Sequence, residues 1–186
     1  MLSIDLEKFP FDTVQDGSVF CIPAAVSAVL KYFDKNISIH QFGLMRLLIL
    51  NTVDKNPSLG GIIEVLKPEL ETKYNFEHLF PTTFEEWKKN VTDNLSKSYP
   101  LIFATRISSG PHVRILIQFD EANDSFTIFD PGVGGLLKET LDSNGHINGA
   151  NLIFSSLIKK YTIDEALHDW NNPDKCSDQL LIFPKS

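Results

Sequence analysis

Four residues in this chain have the types and the order that nucleophilic acyl chemistry requires: Gln15, Cys21, His112 and Asp130. A cysteine thiolate can attack a carbonyl carbon. A histidine can pair with that thiolate and then protonate the leaving amine, while a carboxylate fixes the tautomer and orientation of the imidazole. A side-chain amide just upstream of the nucleophile can donate an N–H to the developing oxyanion, beside the backbone N–H of the cysteine itself. Each residue also has a plainer role. Cys21 could be a buried apolar side chain, Gln15 a loop amide, His112 a strand-end residue and Asp130 the turn-forming half of an Asp-Pro step. It is the ordered set of four that points to a site.

The element that must present the nucleophile is QDGSVFCIPAAVSAVLKYF, Gln15–Phe33, in which a polar loop ends in Cys21 and an apolar helix begins. Ala24, Val26, Ala28, Val29, Leu30 and Phe33 recur closely enough to bury most of a helix over about Cys21–Asp34, and Pro23 suits its first turn. Unpaired N–H groups and the positive end of the dipole at such a terminus favour thiolate over thiol. His112 and Asp130 fall on a predicted antiparallel hairpin, HVRILIQF and SFTIF joined by DEAND, whose start and end lie at one end of the ribbon. The turn length leaves the register open, so the pattern alone does not bring the two side chains into contact.

Around these lie a second helix in SIHQFGLMRLLILN, capped by Ser38 with Gln41, and a third in GIIEVLKPELETKY, ended or bent by Pro68. A short strand, YNFEHLF, follows, and then a helix FEEWKKNVTDNL capped through Thr82 and Glu85 or Thr83 and Glu86. YPLIFATRI opens the β-rich part. LLKETLDSNGHINGANLIFSSLIKK reads as a loop or small hairpin, IDEALHDW as a helix capped by Thr162 with Glu165, and QLLIFP as a final strand. The expected fold is α+β, a single domain over residues 1–186. Its helical half, to about residue 98, packs on a β-rich half from about residue 99.

Composition narrows the partners. A 42% hydrophobic and 22% charged chain of 186 residues is an ordinary globular sequence. A net charge of -7 without a Lys/Arg cluster argues against nucleic acid, which needs a basic surface. Cys21 and Cys176 make neither a disulfide framework nor a zinc spacing, which fits a reducing compartment. His40, His78, His146 and His168 lack metal-site spacing, so neither metal nor cofactor is expected. The start, MLSIDLEKFPF, is neither a signal peptide nor a membrane span, which leads to a cytoplasmic expectation without a pro-segment. A peptide or protein is the expected substrate.

QDGSVFCIPAAVSAVLKYF followed by ISIHQF resembles the start of the papain-like peptidases that cleave double-glycine leaders from bacteriocin precursors, whose motif is Gln, a short gap, then Cys-Gly-Pro-Ala and a helix. PLIFATRISSGPHVRILIQFDEANDSFTIFDPGVGG is similar to that family's strand, Gly-His strand and Asp-Pro strand. The resemblance implies a papain-like fold with Gln15 as oxyanion donor, Cys21 as nucleophile, His112 as base and acid, and Asp130 as orienting residue. Two positions depart from it: Ile22 stands where Gly is usual, and Pro111 where Gly is common before the histidine. No GxxxxGK(S/T) motif follows, so a stand-alone form is expected. Related folds also transfer acyl groups to amines, and a catalytically silent module that binds peptides is the rival from outside enzymology.

Overall fold

The computed structural model describes residues 1–15, 20–51, 58–107, 110–133, 158–162 and 178–185. In chain order the elements are β1 (Leu2–Ser3), α1 (Cys21–Phe33), α2 (Gln41–Asn51), α3 (Leu59–Leu70), β2 (Tyr74–Leu79), α4 (Phe84–Leu95), β3 (Leu101–Ile107), β4 (Gly110–Asp120), β5 (Ser125–Phe129), a 3-10 turn (Pro131–Val133), β6 (Ile158–Thr162) and β7 (Gln179–Pro184). The strands form one sheet in the order β2-β7-β3-β4-β5-β6, with β1 paired to β4. All of these pairings are antiparallel.

The α+β class is as expected, with α1 to α4 before residue 98 and β3 to β7 after it. β1 and β2, both from the first half, belong to the sheet. The last strand, β7, inserts between β2 and β3, pairing Phe76 with Ile182 on one side and Leu101 with Leu181 on the other. β6 pairs along β5, starting in the last three residues of the stretch read as a loop or small hairpin and running on to Thr162, which is thus a strand residue. The helix expected over residues 163–170 lies outside the described residues.

α1 is buried along almost its whole length, with Ala24, Ala25, Val26, Ala28, Val29 and Leu30 fully covered. Small residues on its first turns let it lie close against β4. α4 begins with the expected capping box: Thr83 Oγ1 accepts from Glu86 N, while Glu86 Oε2 accepts from Thr83 N. Its Trp87 meets Phe103 and Phe126 edge-on at 5.9 and 5.3 Å, pinning the helix to β3 and β5.

Two local expectations are corrected. α2 does not start from a Ser38 cap. His40 occupies the cap position: its carbonyl accepts from Leu44 N, and its Nδ1 accepts from Gly43 N. The Gln41 side chain, expected to reach back to Ser38, instead donates from Nε2 to the Val14 carbonyl at 2.7 Å. α3 starts two residues before the expected Gly61, because the Ser58 side chain accepts from Gly61 N and caps it. It continues through Pro68 to Leu70.

Candidate active site

Cys21 is the first residue of α1 and a free cysteine, half-buried. Phe20 precedes it as N-cap and offers no side-chain cap, so the first-turn N–H groups keep the open character that helix N-termini have. Ile22, the departure beside it, is only 7% exposed and packs into the core.

His112 sits near the start of β4, cross-strand from Thr105 of β3. Asp130 follows directly after β5. His112 Nε2 lies 2.7 Å from Asp130 Oδ1, and both side chains are buried. The contact depends on a β-bulge. Ile115 pairs with Phe129 and Leu116 with Ile128, but Gln118 pairs with Thr127, so Ile117 is an extra residue in β4. Continued one step, that register sets Asp130 opposite Arg114, on the face His112 shares. Without the extra residue Asp130 would oppose Ile115 and point to the other side of the sheet.

Donors from His112, Gly132 and Arg114 all reach Asp130. Oδ1 also accepts from the Gly132 backbone N–H at 2.9 Å, and Oδ2 accepts from Arg114 Nε at 3.1 Å. Burial alone would push the Asp130 pKa up. The hydrogen bond and charge of His112, the Gly132 N–H and the Arg114 guanidinium outweigh it and hold the carboxyl well below the usual range. For His112, burial pushes the pKa down, but hydrogen bonds with Asp130 and Cys21 and the charges of both raise it from 6.5 to about 9. With Nε2 committed to Asp130, Nδ1 is the ring nitrogen left for a second partner. A chain of contacts runs His112, Asp130, Arg114, with Cys21 near enough to raise the imidazole's pKa.

Gln15 reaches this group through its backbone: Gln15 N donates to the Pro131 carbonyl at 3.0 Å, tying it to the turn that follows Asp130. The arm leading to it is anchored on both sides. Phe9 and Phe11 pack edge-on against Phe129 at 5.2 and 6.0 Å, and the Val14 carbonyl takes the Gln41 hydrogen bond already described. The Gln15 side-chain Oε1 is buried and has no hydrogen-bond partner. Buried polar atoms are rarely left so. Of the remaining described histidines, His40 serves the α2 cap, and His78 packs at a tilt against Phe80 with Nε2 3.3 Å from Asp178. Arg114 and Gly132 were not singled out from the sequence. Arg114 carried a signal, two residues from His112 and hence on its face of a strand, but its target depended on the register.

The architecture is that of a papain-like peptidase domain of the C39 type. It matches the crystal structure of the peptidase domain of Streptococcus ComA, a bi-functional ABC transporter involved in a quorum-sensing pathway, with a TM-score of 0.56. The match covers 92% of this chain and 95% of that one at 16% sequence identity. The sequence profile of the Peptidase_C39 like family matches residues 7–142, and the chain belongs to that family. A search of curated proteins gives no significant match. Among the described residues no helix is long and apolar enough to cross a membrane.

Proposed function

We propose that the protein is a cysteine peptidase of narrow specificity, cleaving a peptide bond in an extended, glycine-containing segment of a peptide or protein. The observation that carries this reading is the buried His112 imidazole, 2.7 Å from the buried Asp130 carboxylate and close enough to Cys21 for the thiol to raise its pKa. Cys21 as thiolate attacks the scissile carbonyl carbon. The oxyanion that forms is met by the Cys21 backbone N–H and by the Gln15 amide, since a half-turn of that amide exchanges Oε1 for Nε2. His112 as imidazolium gives its proton to the leaving amine as the C–N bond breaks. Water, deprotonated by the now neutral His112, then attacks the thioester, releasing the acid and restoring the thiolate. Asp130 stays ionised throughout and balances the imidazolium.

Family membership and the likeness to a transporter's peptidase domain support peptide processing as the setting. The test is inactivation by iodoacetamide as a function of pH, with the Cys21→Ala protein as blank. Cys21 is expected to alkylate far faster than an unstructured thiol near neutral pH. Rates no faster than that thiol's overturn the reading. Product analysis with added amines separates hydrolysis from acyl transfer.

A further inference from the structure

We propose that Gly132 is a positioning residue for His112: its bare Cα leaves room for the imidazole, and its N–H holds the carboxylate to which the imidazole is bonded. This rests on the peptidase reading for its consequence, not for its geometry. Gly132 lies in the 3-10 turn that directly follows Asp130, and that turn brings its Cα up against the His112 ring. A Cβ at Gly132 would lie 2.4 Å from His112 Cε1, 2.8 Å from Nε2 and 3.0 Å from Asp130 Oδ1. Non-bonded carbons prefer about 3.5–4.0 Å, so a methyl group there cannot coexist with the ring where it stands. The obstacle is an aromatic ring hydrogen-bonded at Nε2, not the free tip of a flexible chain.

Glycine is often required because the backbone adopts a left-handed φ, but that explanation does not apply here. The φ of Gly132 lies outside that region, so the backbone would accept alanine. The imidazole and its carboxylate are what demand glycine. The same residue donates its N–H to Asp130 Oδ1, the oxygen His112 uses. A ring pushed away by a Cβ therefore stretches its bond to Asp130 and shifts relative to Cys21, by about an ångström if the ring alone yields. Misplacements of that size cost on the order of 10²-fold in rate.

The experiment is Gly132→Ala, alone and in a His112→Ala background, read by thermal unfolding, by NMR titration of the His112 ring and by the pH profile of Cys21 alkylation. Gly132→Ala is expected to lower the melting temperature in the wild-type background and to have little effect once the ring is removed. In the single variant His112 should titrate below about 9, and the upper limit of the alkylation profile should fall with it. With a cleavable peptide, kcat should drop on the order of 10²-fold with KM changed less than about twofold. An unchanged titration and alkylation profile, or equal destabilisation in both backgrounds, overturns the proposal. Because unfolding and titration need no substrate, a strong Gly132–His112 coupling in a protein with an unreactive Cys21 upholds this placement while overturning the peptidase reading.

Discussion

Replacing Asp130 by asparagine separates the proposed orienting carboxylate from a turn former, because the residue has the contacts for both roles. Its Oδ1 accepts the Gly132 N–H two residues on, the bond a turn-forming Asp or Asn makes equally well. Its other contacts need an acceptor on both oxygens. In Asp130→Asn one of those positions becomes an NH2. If it faces Arg114, two donors oppose each other across the present 3.1 Å contact. If it faces His112, Nε2 must become the acceptor, and the ring proton moves to Nδ1, the wrong tautomer for a proton shared with Cys21. The charge is lost either way. His112 is raised from 6.5 to about 9 against the opposing effect of burial. That is worth roughly 3 kcal/mol of imidazolium stabilisation, a factor of a few hundred. Asp130→Asn should therefore lower kcat on the order of 10²-fold and draw the alkaline limb of the pH profile from about 9 toward 6.5, in a protein that still folds. The assay is kcat and kcat/KM from pH 5 to 10, with thermal unfolding alongside. Wild-type kcat and an unmoved alkaline limb in a folded Asp130→Asn protein would refute the carboxylate's role and leave a Cys21–His112 dyad.

Other perturbations have distinct signatures. Gln15→Ala should lower kcat by about 10²–10³ with KM nearly unchanged, because an oxyanion hydrogen bond strengthens only as charge develops; a parallel rise in KM would point to substrate binding instead. Arg114→Gln weakens the hold on the Asp130 anion, so its pKa rises. A depressed carboxyl stabilises the fold above its unfolded pKa and loses that effect as pH falls, so acid unfolding followed by circular dichroism should begin at higher pH in the variant. His112 acts in the opposite sense. Its raised pKa contributes up to roughly 3 kcal/mol, complete below about pH 6.5 and lost by about pH 9, and chemical denaturation in that window should show a decline absent from His112→Ala. Thr83→Ala removes the capping-box acceptor at α4 and should cost about 1 kcal/mol in urea unfolding without altering Cys21 reactivity.

How far the site was legible follows from the range of the interactions that build it. α1 and the capping box of α4 are local: apolar spacing behind Cys21, and Thr83 three residues before Glu86, carry their own geometry. The hairpin of β4 and β5 was also readable, because DEAND between two apolar runs marks a turn. What composition and period could not show was pairing between distant segments. Nothing in QLLIFP says that β7 lies between β2 and β3, and the partner of β6 is chosen by the sheet rather than by its five residues. Ser38 and Gln41 had the spacing of a cap, but the Val14 carbonyl, 27 residues from Gln41 in sequence, competed for the amide.

The decisive unreadable feature is one residue. Ile117 is 1% exposed and closes the apolar run Ile115–Ile117, with no Gly or Pro beside it to mark a bulge. Yet the bulge decides which face of the sheet Asp130 joins. With it, Arg114 and His112 on β4 meet Asp130 and Gly132 in the turn that follows β5, and one carboxylate gathers an imidazole, a guanidinium and a backbone N–H. A regular pairing would turn Asp130 away from His112 and leave both as the surface histidine and turn aspartate of their plainer readings. The four residues named from type and order were a list of possible partners. Their contact is a property of register, and Arg114 and Gly132 became recognisable only once that register was known.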